Sequence, residues 1–161
     1  MVVLSAGILL YRMTDAAEPE VWIAHMGGPF WARKDAAAWS IPKGEYRLGE
    51  DPFAAARREF EEEIGAPAPA AEYVGLGEFR QASGKVVTVF AAETDFAVDA
   101  VLSNTFELEW PKGSGRLRSF PEVDDARWVG LEQARVKLVR GQLPVLDALV
   151  RLLRARGRPA R

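Results

Sequence analysis

Apolar residues recur along this chain with two periods, and these divide most of it into strands and helices. Ser5 to Met13 is rich in apolar residues and reads as a first strand. Thr14 to Glu20 is polar and turn-like, and Val21 to His25 reads as the return strand of a hairpin. Gly27-Gly28-Pro29 breaks that strand. Phe30 to Ala38 reads as a loop with a helical turn, and Trp39 to Pro42 as a short strand delivering the chain to Gly44. The period then changes. Phe53, Ala56, Phe60 and Ile64 fall within roughly an 80° arc of a helix over 52–64. Asp51 suits the N-cap, Pro52 the first turn, and Gly65 the left-handed C-terminal position. Glu72 to Gln81 and Lys85 to Thr94 read as strands joined by Ala82-Ser83-Gly84.

The C-terminal part mixes both periods. Ser103 to Trp110 reads as a strand, Pro111 to Ser119 as a loop, Asp125 to Val129 as a short strand and Leu131 to Val139 as a helix. Leu143, Leu146, Leu149, Val150 and Leu153 recur near helical spacing within a second helical segment, Gly141 to Ala155. Residues 156–161 form a basic tail expected to fray. Repeats and linkers are absent from the sequence, so one domain over 1–155 is expected. The mixed order of strands and helices predicts an α/β sandwich.

Composition narrows the function classes. The chain has 161 residues, 48% hydrophobic and 27% charged, which suits an ordinary globular protein. A net charge of −2 gives no global attraction to extended nucleic acid or to an anionic membrane. Val2 to Leu10 is apolar but short, with no basic segment before it, and reads as neither signal peptide nor membrane span. No cysteine is present, so disulfides and thiolate metal sites are excluded, and a cytoplasmic location is expected. Monomer and homodimer both remain open.

The chemistry concentrates between Gly44 and Ala66. Glu59, Glu62 and Glu63 fall within roughly 100° of one another on the flank of the apolar stripe. Carboxylates at i, i+3 and i+4 repel unless a cation sits on them. Flexible oxygen ligands suit Mg²⁺ or Mn²⁺, hard ions that keep positions open for water and phosphate oxygens. The bland alternative is a solvated acidic face. The fixed spacing of Gly44, Glu50, Arg58, Glu59, Glu62, Glu63 and Gly65 favours the metal.

That spacing resembles the signature of the Nudix hydrolase superfamily: glycine, five residues, glutamate, seven residues, then Arg-Glu-apolar-x-Glu-Glu-x-Gly-apolar. Ala66 is the one soft departure, standing where the family usually has Ile, Leu or Val. The resemblance implies an α/β/α sandwich with a central mixed sheet. It implies Glu59, Glu62 and Glu63 as metal ligands, joined by the Lys43 carbonyl, with Arg58 paired to Glu50 and orienting Glu59. It also implies that a glutamate activates the attacking water; which one varies among members.

Flanking residues extend the resemblance. Trp39-Ser40-Ile41-Pro42-Lys43-Gly44 is similar to the lead-in of Nudix enzymes acting on diadenosine polyphosphates, diphosphoinositol polyphosphates and capped RNA. It makes Lys43 and Trp39 candidate substrate contacts, against the alternatives of a solvated lysine and a core tryptophan. Glu122, followed by Trp128 and Leu131-Glu132-Gln133-Ala134, resembles the late segment of diadenosine tetraphosphate hydrolases. On that footing it is a candidate second-metal ligand or water-activating base, or else an exposed loop acid. Lys112, Arg116 and Arg118 lie in one loop, either holding outer phosphates or solvated. Trp31, beside Phe30, Arg33 and Lys34, offers a face on which adenine could stack. Glu107 and Glu109 share one strand face and either approach the cleft or meet solvent. His25, the sole histidine, reads as structural.

The implied reaction is metal-dependent hydrolysis of a phosphoanhydride in a nucleoside diphosphate linked to another group. A dinucleoside polyphosphate is the favoured substrate and a nucleoside triphosphate the nearest alternative. A non-catalytic nucleotide sensor is the alternative of another class, and RNA decapping is disfavoured by the charge.

Overall fold

The computed structural model describes every residue except Met1, Pro159 and Arg161. Strand β1 (Leu4–Met13) is the axis of the fold. Its residues alternate between two cores. Ala6, Ile8 and Leu10 point to one side, and Leu9 and Tyr11 to the other. Both faces are covered, which is why β1 reads as a nearly continuous apolar run.

Around β1 a seven-stranded sheet assembles. β2 (Pro19–Met26) returns antiparallel beside it, and β6 (Val86–Glu93) lies parallel on the other side. β5 (Val74–Arg80) pairs antiparallel with β6 at the edge. β3 (Trp39–Ser40) and β9 (Val123–Gly130) pair antiparallel with β2, and β4 (Lys43–Tyr46) with the start of β1. The sheet is therefore mixed, as expected. A separate hairpin, β7 (Thr105–Glu109) with β8 (Leu117–Pro121), stands outside it.

Helix α1 (Pro52–Ile64) covers the first face, burying Ala55, Ala56, Phe60 and Ile64 against Trp22 and Ala24. Helices α2 (Leu131–Lys137) and α3 (Leu143–Ala155) cover the second through Leu131, Ala134, Leu146, Leu149 and Leu153. This is the α/β sandwich read from the mixed order of elements.

Three local expectations need correction. Trp39 to Pro42 is not one strand: β3 stops at Ser40, and a second strand, β4, runs through Gly44 by pairing with Ser5, Ala6 and Gly7. The loop expected over Pro111 to Ser119 gives way at Leu117 to β8, which pairs antiparallel with β7, from Leu117 opposite Glu109 to Pro121 opposite Thr105. β9 begins at Val123, not Asp125, because Val123 pairs across a bulge with Met26. The tail expectation falls partly outside the described residues; within them, Arg158 donates to both Glu93 carboxylate oxygens at 2.8 and 3.0 Å.

One buried polar residue fixes the segment that enters the site. Gln142, 1% exposed, accepts from the Ile41 N–H at 2.9 Å and donates to Ser40 Oγ at 2.8 Å. Gln142→Ala strands the buried Ile41 N–H. We expect it to lower the unfolding free energy by about 2–3 kcal/mol in urea titrations; a loss under about 0.5 kcal/mol would mean that water replaces the tie.

Candidate functional site

Local sequence explains where the carboxylates sit. The Asp51 side chain accepts from the Ala54 N–H at 2.9 Å and starts α1. Gly65, at φ +85°, ends it with its N–H on the Glu61 carbonyl. Between these caps the apolar stripe faces the sheet. Glu59, Glu62 and Glu63 are thereby left half-buried along the flank nearest β4.

β4 receives them closely. A Cβ on Gly44 would fall on the Glu59 carboxylate, so only glycine permits this approach. The Lys43 N–H donates to Glu63 Oε1 at 3.0 Å. Arg58 forms the outer rim. It pairs with Glu50, lies 3.1 Å from Glu59 Oε1 and 3.8 Å from Glu62 Oε1, and donates to the Glu45 carbonyl at 3.3 Å.

Glu122, between β8 and β9, is brought to the same cleft by a chain of backbone bonds. The Asn104 N–H donates to the Glu62 carbonyl at 2.8 Å, the Glu122 N–H to the Asn104 carbonyl at 2.9 Å, and the Gly27 N–H to the Glu122 carbonyl at 2.9 Å. Asn104 carried no signal in the sequence, because its part is played by its backbone. A cavity of about 220 Å³ opens between these elements, lined by Lys43, Glu63, Glu122, Trp31, Phe106 and Met26 among others. A larger hollow of about 680 Å³, between the β1–β2 turn and α2, contains none of these residues.

The electrostatics record the crowding. Burial pushes the Glu63 carboxyl up to about 8, with Glu122 and Glu59 adding to it and Lys43 opposing. Burial also raises Glu59, against the pull of Arg58 and with the help of Glu62 and Glu122. Glu122 is raised by burial and by Glu62. The Lys43 ammonium is lowered, mainly by burial and then by Lys85, while Glu63, Glu45 and Glu59 pull it back.

This donor set fits a hard divalent cation: oxygen ligands only, with negative charge concentrated and poorly solvated. Among the described residues no three such side chains are already arranged at ligand spacing. Arg58 engages Glu59, and the Lys43 N–H engages Glu63. Side-chain rotation is needed to receive an ion.

Other candidate residues are distributed unevenly. Trp31 reaches the cavity, with the Lys34 ammonium 5.4 Å from its ring centroid. Trp39 does not. It is 3% exposed, bonded to Asp35 at 2.9 Å, and packed against His25. Its side chain packs in the core, the alternative weighed against a substrate contact. Lys112, Arg116 and Arg118 are exposed on the β7–β8 hairpin and do not line the cavity. Glu107 and Glu109 are exposed there too. His25 is held by Asp124 and the Lys34 carbonyl, each at 2.7 Å.

Comparison with known proteins places this arrangement. The model of the NUDIX domain matches residues 1–149. The chain belongs to the Nudix family. As a Nudix enzyme it is a pyrophosphohydrolase, and Nudix hydrolases generally use divalent metals. Solved structures share the fold at low identity. An Ap4A hydrolase from C. elegans, in a binary complex, matches at 23% identity and TM-score 0.59, over 95% of this chain and 98% of that one. The NUDIX domain of Shewanella oneidensis NrtR, complexed with ADP ribose, matches at 17% identity and TM-score 0.62, over 95% and 89%. The E. coli ORF135 protein matches at 19% identity and TM-score 0.58, over 96% and 92%. A search of curated proteins gave no significant match. No helix among the described residues is long and apolar enough to cross a membrane.

Two outcomes follow for this Nudix site. Gly44→Ala should displace the Glu59 carboxylate and cut turnover about a hundredfold while circular dichroism stays native; undiminished turnover would mean that the close approach is dispensable. The second outcome concerns pH. Glu63 binds a proton more tightly folded than unfolded, so its contribution is full below its ordinary value of 4.5 and is lost as pH rises through about 8. Raised values at Glu59 and Glu122 act in the same direction. The metal-free protein should show a Tm that falls between about pH 5 and pH 8, with a flatter profile in Glu63→Gln. Identical profiles would contradict the assignment.

Proposed function

We propose that this Nudix enzyme hydrolyses, with Mg²⁺ or Mn²⁺, a phosphoanhydride bond in a nucleoside diphosphate linked to another group, and that a dinucleoside polyphosphate is its preferred substrate. The observation that carries the reading is the meeting of Glu59, Glu62, Glu63 and Glu122 with Lys43 around one cleft.

Glu59, Glu62, Glu63 and the Lys43 carbonyl would hold the cation, with Glu122 joining from the opposite wall. A cation held by these residues would supply Lewis-acid chemistry, offsetting charge on the phosphates in the transition state and making the attacking water more acidic. The chain's own residues supply the rest. Arg58, fixed by Glu50, orients Glu59. Glu122 accepts the proton of the attacking water at a carboxylate oxygen, and its raised pKa makes it a better base near neutral pH. Water oxygen bonds to phosphorus, the bridging P–O bond breaks, and the leaving phosphate keeps the electron pair. The Lys43 ammonium, drawn toward Glu63, Glu45 and Glu59, is placed to meet a phosphate oxygen at the cavity wall.

Trp31 on the cavity wall supports an aromatic base as part of the substrate. The lead-in to Gly44 and the segment around Glu122 favour a dinucleoside polyphosphate, and the similarity to an Ap4A hydrolase is consistent with that preference. The net charge of −2 supplies no general attraction to a polynucleotide.

A nucleotide panel with Mg²⁺, with products separated by chromatography, tests the reading. Diadenosine tetraphosphate should give ATP and AMP with the highest kcat/KM. Glu62→Gln should lower kcat by about a hundredfold or more with unchanged folding. Preference for a nucleoside triphosphate, with pyrophosphate released, would overturn the choice of substrate. Undiminished turnover in Glu62→Gln would overturn the mechanism.

A further inference from the structure

The cavity beside the carboxylates is too small for the substrate class proposed above. Its volume of about 220 Å³ lies below the roughly 300–1,000 Å³ of ordinary small-molecule sites, so most of a dinucleoside polyphosphate must lie outside it. One surface continues outward from the cavity mouth, on the β7–β8 hairpin.

The hairpin register sorts its residues onto two faces, because directly opposed residues in an antiparallel pair share a face. Phe106 opposes Phe120 and Leu108 opposes Arg118. The Trp110 N–H donates to the Arg116 carbonyl at 3.0 Å, carrying the pairing one step further. The opposite face holds Glu107 with Ser119, and Glu109 with Leu117. One face is thus apolar and cationic, and the acids lie on the other.

The apolar and cationic face starts at the site. Phe106 lines the cavity and packs on Gly28, where a Cβ would come within 2.7 Å of the ring. Four residues further along the strand, about 13 Å away, Trp110 meets Phe30 edge-on with ring centroids 5.8 Å apart. Phe30 is 60% exposed and contributes to neither core cluster. Two large aromatic rings from separate segments therefore meet at the surface, with the exposed Arg116 opposite Trp110 and the exposed Arg118 one same-face step nearer the cavity, opposite Leu108. Arg118 between the cavity and the aromatic pair, with Arg116 level with Trp110, matches the order of groups in the ligand: phosphates next to the carboxylate site, then a planar base.

The geometry points to Phe30 and Trp110 as the seat of the second nucleoside of a dinucleoside polyphosphate, with Arg116 and Arg118 contacting the phosphates that lead to it. This rests on the substrate class proposed above and sets which residues distinguish a dinucleotide from a mononucleotide. Neither aromatic touches the reacting atoms. Both are specificity determinants.

Two substrates isolate the effect, because diadenosine tetraphosphate and adenosine 5′-tetraphosphate differ only in that nucleoside. Steady-state kinetics of the full chain with Mg²⁺ should show the ratio of their KM values, dinucleotide over mononucleotide, rising about tenfold in Trp110→Ala, as expected for loss of one base-stacking contact. The ratio of their kcat values should stay near that of the wild type. Phe30→Ala, altered at an exposed loop position, should move the KM ratio in the same direction. A wild-type ratio in both variants, or an equal loss on the two substrates, overturns the assignment. If the wild-type protein hydrolyses neither compound, it is instead the choice of substrate class that fails, and this assignment with it.

Discussion

Helix α1 approaches strand β4 so closely at Gly44 that the Glu59 carboxylate occupies the space of a Cβ. The rest of the site follows from that contact. With no side chain at Gly44 in the way, the Glu59 carboxylate packs against β4, and Glu63 accepts from the Lys43 N–H beside it. Burial, together with repulsion from neighbouring carboxylates, then favours the protonated forms of Glu59 and Glu63, most strongly at Glu63. A divalent cation held there, as proposed, would relieve both penalties.

The fold is arranged to keep that contact in place. β1 supplies both cores through alternate residues, and its first half pairs with β4. The strand carrying Gly44 is therefore anchored to the best-packed element of the molecule. Gln142 fixes the preceding segment from the α3 side. From α1 the backbone chain through Asn104, Glu122 and Gly27 joins the helix to the opposite wall. The two sides of the cleft are tied by main-chain bonds, whose geometry does not depend on the identity of Asn104. The β7–β8 hairpin, by contrast, stands outside the sheet. On the proposed reading, it would carry residues that choose the substrate without disturbing those that would hold the cation.

Features set by local chemistry were legible in the sequence. The α1 boundaries follow from Asp51, Pro52 and Gly65, and its two faces follow from helical period alone. β1 was legible because it is apolar on both sides. Features set by distant pairing were not. β4 is short, polar and interrupted by glycine, and it becomes a strand only because Ser5, Ala6 and Gly7 pair with it. β8 alternates weakly, and only its register with β7 defines it. Trp39 shows the same limit in a side chain: its position before Gly44 made it a candidate contact, yet His25 and Asp35 hold it in the core. Gln142 and Asn104 had no signature, since one acts through a buried amide and the other through its backbone.

The central claim is that buried, partly protonated carboxylates on α1 take up a divalent cation and ionise as they do so. Calorimetric titration of Mg²⁺ into the protein with a non-hydrolysable nucleotide, repeated near pH 7 in buffers of different ionisation enthalpy, measures binding and proton release together. Binding should be accompanied by proton release, and the release should be diminished in Glu63→Gln. No binding with nucleotide present, or binding that releases no proton, would contradict it.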